Sequence, residues 1–157
     1  MSDEKTIREL LAAHAFANEL EPGQIDLLAR IAEPRNFAAG EFLTRMGKPA
    51  NQCFLICKGQ VSVELYQPGR GSRSVETLSP TDSVLGWSWL VTPYTWCFDS
   101  RAIEPTETLA LDTKTLRDAC EEDHEFGYQV LKRFTTVFAE RLRATRLQLT
   151  DMYSTEQ

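Results

Sequence analysis

The 157-residue sequence lacks any long apolar run and has no apolar leader. A helix that spans a bilayer needs about 20 consecutive apolar residues, and a signal peptide needs an apolar core behind its basic start. No segment meets the first requirement, and residues 1–10 (MSDEKTIREL) are too charged to meet the second. The sequence therefore predicts a cytoplasmic protein that makes no contact with a membrane.

Histidine and cysteine are also scarce, with two and four copies. His14 has no acidic or cysteine motif beside it, which favours a surface or half-buried helix residue over a ligand or a base. The cysteines form no CxxC pair and are too few for a disulfide-stapled scaffold, so we interpret them as reduced structural thiols; they are Cys53, Cys57, Cys97 and Cys120. We predict no metal site.

Positive charge is in deficit, since 17 Lys and Arg face 23 Asp and Glu for a net charge of −6. Surfaces that bind nucleic acid or anionic lipid are basic, so this balance argues against direct DNA binding. The hydrophobic fraction of 42% and the charged fraction of 25% are typical of a folded globular chain. Length and composition together predict a single domain over residues 1–157.

The pattern along the chain changes twice. Apolar residues at helical spacing predict two short N-terminal helices, the second running to Pro34. From about 37 to 112, short β-rich segments separated by turns predict a β-roll. Helix returns at Lys114–Cys120, with Thr113 as its cap, and again from about 124 to 152, with Asp123 as the cap. The predicted fold class is α+β, mainly β: a double-stranded β-helix jelly roll with N-terminal helices and a long C-terminal helix.

The long C-terminal helix carries a heptad. Its members alternate steps of four and three residues and are Leu131, Thr135, Phe138, Leu142, Thr145, Leu149 and Met152. This spacing is typical of helices that pair along a seam, so it predicts a homodimer through this helix. The alternative is an amphipathic helix packed on its own roll.

Short motifs recur in a fixed order through the β-rich part. They are Phe37 with Gly40-Glu41-Phe42-Leu43, Gly47, Phe54-Leu55-Ile56 leading to Lys58-Gly59-Gln60-Val61, Leu78-Ser79-Pro80-Thr81-Asp82 leading to Gly86, and Arg101-Ala102. This order resembles the cyclic nucleotide-binding domain of the catabolite-activator superfamily, and the likeness extends over roughly residues 15 to 150.

The resemblance implies a phosphate-binding cassette at residues 86–102. In that family a glycine-led short helix offers backbone N–H groups to the cyclic phosphate, a glutamate beside the glycine takes the ribose hydroxyl, and an arginine with a small polar residue after it clamps the phosphate. Here Trp87 stands at the glutamate position, Trp96 at the arginine position and Cys97 at the small polar position. Loss of both charged contacts predicts cyclic-nucleotide affinity weaker by about 10² or more.

All three tryptophans of the chain, Trp87, Trp89 and Trp96, lie in this cassette. Three interpretations stay open. The indoles can fill the vacated pocket as core residues. They can instead line an altered pocket for a flat or apolar ligand, with backbone N–H groups near Gly86 and the Ser88 hydroxyl binding an anionic group. The third interpretation is weak binding of a cyclic nucleotide through a different set of contacts.

The resemblance also implies roles outside the cassette. It puts Arg141 and Thr145 at positions that contact the nucleotide base; the alternative is a solvated arginine and a seam threonine. We interpret Arg101 as a structural arginine paired with Asp99. Regulators of the family append a helix-turn-helix of about sixty residues, but only residues 154–157 follow Tyr153, so we expect no DNA-binding domain on this chain.

These observations predict a stand-alone, non-enzymatic sensory or regulatory module. Its ligand is a cyclic nucleotide or another small molecule, and an unidentified protein receives its signal. The first alternative is a protein-interaction module that binds no ligand. A cupin-like metalloenzyme on the same roll needs several histidines inside the barrel, whereas His14 and His124 both lie outside the β-rich part.

Overall fold

The computed structural model describes residues 4–80 and 84–154, in which helices flank two β-sheets. The chain begins with α1 and α2, joined by a 3-10 turn, and ends with α3 and a much longer α4. The helices are α1 (Glu4–Ala13), α2 (Pro22–Ile31), α3 (Thr113–Glu122) and α4 (His124–Ser154), and the turn is Ala15–Ala17. The predicted arrangement of short N-terminal helices and a long C-terminal helix is confirmed.

Within the described residues, eight strands form two four-stranded antiparallel sheets. One sheet has the order β1-β8-β3-β6 and the other has the order β2-β7-β4-β5, so all consecutive strands except the β4–β5 hairpin lie in opposite sheets, as in a jelly roll. The strands are β1 (Ala32–Phe37), β2 (Phe42–Thr44), β3 (Gln52–Lys58), β4 (Val61–Gln67), β5 (Gly71–Leu78), β6 (Val84–Leu85), β7 (Asp99–Ala102) and β8 (Thr106–Asp112). The predicted fold class is confirmed.

The first strand starts earlier than predicted. Helix α2 ends at Ile31 and β1 begins at once, so Pro34 lies inside a strand and not at a helix end. Proline has no N–H to donate and is tolerated in a sheet where one side of the strand has no partner. Strand β1 occupies the edge of its sheet and pairs only with β8. The roll therefore begins at Ala32.

The predicted cap is correct for α4 and wrong for α3. Asp123 caps α4 as predicted, because its Oδ1 accepts a hydrogen bond from the Phe126 N–H at 3.1 Å. The predicted cap of α3 was wrong by one residue: Asp112 accepts from the Thr115 N–H at 2.8 Å, and this bond lowers the pKa of Asp112. Thr113 is buried and donates instead to the Ala50 carbonyl at 2.6 Å.

His14 is buried just after α1, contrary to the prediction of a surface or half-buried helix position. Its Nε2 lies 2.9 Å from the Ile56 carbonyl oxygen on β3, and its Nδ1 accepts from the Phe16 N–H at 3.2 Å. A neutral imidazole protonated on Nε2 satisfies both bonds. Burial lowers the pKa of His14, in keeping with that neutral form. His14 therefore joins the N-terminal segment to the roll.

Helix α4 has one face on the roll and one face in solvent. Phe126, Val130 and Phe134 repeat every four residues and are fully buried. Three of the predicted seam residues lie on the exposed side of the helix: Leu131, Leu142 and Leu149 are 51%, 52% and 48% exposed. Among the described residues, no helix is both long and apolar enough to cross a membrane.

Candidate functional site

The cassette begins with a glycine that has an indole packed directly on it. Gly86 follows β6 with φ +102°, a conformation that costs glycine little and other residues much. A Cβ built on Gly86 would lie 2.4 Å from Cη2 and 2.5 Å from Cζ3 of Trp96. Trp96 is only 5% exposed. Its ring therefore occupies the space beside the glycine, at the position where the resemblance implies a phosphate clamp.

The backbone around Trp96 is held by the loop between β2 and β3. The Trp96 N–H donates to the Lys48 carbonyl at 2.9 Å, and the Trp96 carbonyl accepts from the Gly47 N–H at 2.8 Å. Two residues away, the Tyr94 carbonyl accepts from the Ala50 N–H at 2.8 Å. These bonds fix the chain on both sides of the indole, so the position of its ring is set by backbone pairing as well as by packing.

Trp87 bridges the cassette and α4. Its half-buried ring lies 5.8 Å from the Phe98 ring and meets the Phe138 ring edge-on at 5.3 Å. The Arg141 guanidinium lies over the same indole, 5.0 Å from its centroid, at cation–π distance. Phe138 therefore differs from its predicted role as a seam residue, because its ring is half-buried against its own roll.

Arg141 bonds to partners in its own chain. Its Nε lies 3.4 Å from a Glu76 carboxylate oxygen on β5, and its NH2 donates to the Val84 carbonyl on β6. Its side chain is 12% exposed. The interpretation of Arg141 as a solvated arginine is therefore wrong: it ties α4 to both sheets and to Trp87. Thr145, one turn further along α4, is exposed.

An unbroken series of aromatic rings runs from the cassette to α4. Successive centroids are 5.3 to 6.3 Å apart, within the range of favourable aromatic pairs. The series is Trp96, Phe98, Trp87, Phe138 and Phe134. Contacts between neighbouring rings therefore connect Trp96 to α4.

The short 3-10 helix Ser88–Leu90 carries the buried polar groups of the cassette. Ser88 is buried, and its Oγ has no hydrogen-bond partner among the described residues. Trp89 is fully buried with its ring 5.3 Å from Phe134. Its carbonyl accepts from Arg117 NH1 of α3 at 3.0 Å, and the same guanidinium stacks 4.3 Å from the Tyr94 ring. Arg117 therefore connects helix α3 to the cassette through a hydrogen bond and a cation–π contact.

The candidate site residue Cys97 and the predicted structural arginine, Arg101, do not join this cluster. Cys97 is exposed. Arg101 pairs with Glu64 at 2.6 Å, so the expected pairing with Asp99 was wrong. Strand register explains the difference, because Ser62 lies opposite Arg101 and Glu64 is its diagonal neighbour on the same face. Asp99 instead accepts from the Met46 N–H at 2.7 Å.

Two site residues had no sequence signal. Glu76 and Arg117 meet Arg141 and the cassette through contacts between distant parts of the chain, which no local pattern reveals. Of the ordered motifs, Thr81 and Asp82 lie outside the described residues. Within residues 4–80 and 84–154, no group of three His, Cys, Asp or Glu side chains is placed to hold a metal ion.

Comparison with known proteins agrees with this architecture. The family model for the cyclic nucleotide-binding domain matches residues 34–123. The cGMP-dependent protein kinase 2 of Rattus norvegicus is 25% identical over 117 residues, which is 74% of this chain and 15% of the kinase. The chain thus spans about one-seventh of the length of that curated relative.

Solved structures share the fold at low identity. A cyclic nucleotide-binding domain from Methylobacillus flagellatus superposes with a TM-score of 0.79 at 17% identity, covering 95% of this chain and 83% of that one. The regulatory subunit of a cAMP-independent protein kinase A from Trypanosoma brucei superposes with a TM-score of 0.69 at 20% identity, covering 85% and 47%. These likenesses concern the fold alone. Together, the roll, the glycine-led cassette and the matched family model place this chain in the cyclic nucleotide-binding domain family.

Proposed function

We propose that this chain is a non-enzymatic regulatory module whose cassette is closed by tryptophan, and that it binds cyclic AMP and cyclic GMP weakly or not at all. The observation that carries the proposal is the Trp96 ring packed on Gly86, at the position of the implied phosphate clamp. A cyclic phosphate beside Gly86 would have to displace a nearly buried indole whose backbone is bonded on both sides.

The charges around the cassette support the same conclusion. A cyclic nucleotide carries an anionic phosphate, which favours cationic partners. The residues at the implied ribose and phosphate positions are indoles, and the nearby Arg141 already faces Glu76. Ser88 supplies a hydroxyl but no charge. The side chains as placed therefore do not fit a cyclic nucleotide. A chain of similar fold is the regulatory subunit of a trypanosomal protein kinase A that is described as cAMP-independent.

Calorimetric titration of the whole chain with cyclic AMP and cyclic GMP tests the closed cassette. We expect no saturable binding in the micromolar range. A W96A variant removes the ring from Gly86 and is expected to gain affinity for one of the nucleotides if the indole is the main obstacle. W89A is the matched control, because Trp89 packs on Phe134 and not on Gly86. Micromolar binding by the unaltered chain would contradict the proposal.

The outer face of α4 supports self-association. A shallow groove along this helix is lined by Tyr128, Leu131, Lys132, Thr135, Thr136, Ala139, Glu140 and Arg143. The groove includes two predicted seam positions, and the seam continues through Leu142 and Leu149 on an exposed stretch of helix. A single exposed helix gains little stability from propensity alone. We infer that a second copy of the chain covers this face, in a pair of heptad-matched helices.

Light scattering coupled to size exclusion tests the dimer. We expect the unaltered chain to run as a dimer and the L142E/L149E variant to run as a monomer, because like charges would face each other along the seam. A144E/L147E adds two glutamates at exposed positions of α4 that face away from the seam and is expected to leave the dimer intact. A monomeric unaltered chain at about 100 μM would refute self-association, since seams of stable coiled coils are largely paired well below that concentration.

A further inference from the structure

A second cavity, of about 260 Å³, lies between β1, the β2–β3 loop and Trp96. Of the candidate ligand residues in the cassette, only Trp96 reaches it. Its lining residues are Arg35, Leu43, Thr44, Arg45, Lys48, Pro49, Asn51, Gln52, Phe54 and Trp96. This cavity is therefore a separate feature from the closed cassette.

The rim of this cavity is cationic in a chain whose net charge is −6. Arg35, Arg45 and Lys48 line it, and none of the described lining residues is an aspartate or a glutamate. The Arg45 Nε lies 3.6 Å from Asp99 Oδ1, so this arginine has a carboxylate partner, although its side chain is 55% exposed. In the described part of the chain neither Arg35 nor Lys48 forms an ion pair. At least two positive charges thus face the cavity without a carboxylate to balance them.

The floor of the cavity is apolar and partly aromatic. Phe54 and Trp96 are both buried, and Leu43 packs against the same core. The Arg35 guanidinium is held above the Phe37 and Phe54 rings at 5.0 and 5.8 Å, with one N–H bonded to the neutral Gln52 side chain. Its orientation is therefore set in advance by its own chain. Small-molecule sites combine an apolar floor with a few placed polar groups in this way.

We propose that this cavity binds a small organic anion, in which a carboxylate or phosphate group meets Arg35 and Lys48 while a flat or apolar body lies against Phe54 and Trp96. Arginine and lysine donate charge-assisted hydrogen bonds to both groups, so the shared chemistry is the anion. The limited volume excludes large ligands. Binding here touches Trp96, the first ring of the aromatic series that leads to α4.

The test uses the whole chain and three probes of similar size: benzoate, phenyl phosphate and the neutral benzyl alcohol. Affinities are measured by calorimetry and by ligand-detected NMR at low and at high salt. We expect one or both anions to bind about tenfold or more tightly than the alcohol, and to weaken as salt screens the charges. The stronger of the two anions identifies the phosphate or the carboxylate as the natural group.

Matched variants locate the binding. K48Q removes an exposed cation and is expected to weaken anion binding about tenfold. R35K keeps the positive charge at position 35 and removes only the planar stacking of the guanidinium. It is the variant to use if a neutral substitution of Arg35 prevents the chain from folding. R70Q, in the exposed β4–β5 turn, is the control and should leave affinity unchanged. Equal affinity for the alcohol and the anions, binding unchanged by both K48Q and R35K, or no anion binding at millimolar concentration overturns the proposal.

The outcome is independent of the proposed closure of the cassette. Trp87 does not line this cavity, so a W87A variant is expected to keep benzoate or phenyl phosphate affinity whatever it does to the cassette. Failure of anion binding would leave the cyclic-nucleotide titration unaffected, and micromolar binding of a cyclic nucleotide would not by itself establish this second site.

Discussion

Replacing Gly86 with alanine tests the central packing feature of the cassette. Two costs act together at this position. The first is backbone strain, because φ is +102° and an L side chain there costs about 1–2 kcal/mol. The second is overpacking, because the new Cβ would lie 2.4 Å from the Trp96 ring. Forcing a buried ring aside typically costs about 1–3 kcal/mol. We expect G86A to lower the free energy of unfolding by about 2–5 kcal/mol.

Gly40 offers a matched control for the strain alone. Its φ is +92°, and a Cβ there would meet nothing within 4 Å. G40A is therefore expected to lose only the backbone part, about 1–2 kcal/mol. The difference between the two variants measures the contact with the Trp96 ring. Urea unfolding followed by far-UV circular dichroism gives both values without relying on tryptophan emission.

A double-mutant cycle isolates the contact further. W96A alone is expected to cost about 3–5 kcal/mol, as for other buried tryptophans. In the W96A background the ring is gone, so G86A should cost no more than G40A does. The double variant should therefore lose about 1–3 kcal/mol less unfolding free energy than the sum of the two single variants. If G86A costs the same with and without the indole, or no more than G40A, the ring does not lie on the glycine and the reasoning for a closed cassette fails.

Three further predictions concern single side chains. Burial lowers the pKa of His14 below 6.5, so the neutral side chain contributes fully to stability above that pH and contributes less as the pH falls below it. H14Q should therefore make the melting temperature fall less steeply on acidification. Cys97 is exposed, while burial raises the pKa of Cys53 to about 12, so an aromatic disulfide reagent should modify Cys97 first. R141M should lower the free energy of unfolding by about 1–3 kcal/mol, because the ion pair with Glu76 and the hydrogen bond to the Val84 carbonyl are lost.

Each of these has a control and a contrary outcome. H124Q changes the other histidine, which is exposed, and should leave the acid slope unchanged; an identical slope in H14Q would refute a role for the buried imidazole. The fast phase of thiol modification should vanish in C97S, and its persistence would show that another cysteine is accessible. R146M changes an exposed residue of α4. If R146M lowers the free energy of unfolding as much as R141M does, the Glu76 contact adds nothing to stability.

Much of the fold follows from short-range pattern. Alternating β-rich segments between glycine turns predict the roll, since strands and turns depend on neighbouring residues. The cap at Asp123 was found for the same reason, because its acceptor and donor are three residues apart. The cassette was located from the ordered motifs, and its three tryptophans showed at once that the implied charged contacts were absent.

The roll, the long helix and the uncharged, tryptophan-rich character of residues 86–102 could therefore be predicted, because they depend on the local order and spacing of residues. Three features became visible only in the folded chain: Trp96 lies on Gly86, Arg141 joins Glu76 to Trp87, and a cationic cavity opens beside Trp96. These contacts depend on how the sheets and helices stack on one another. That stacking brings together residues far apart in the chain, and no local pattern records it.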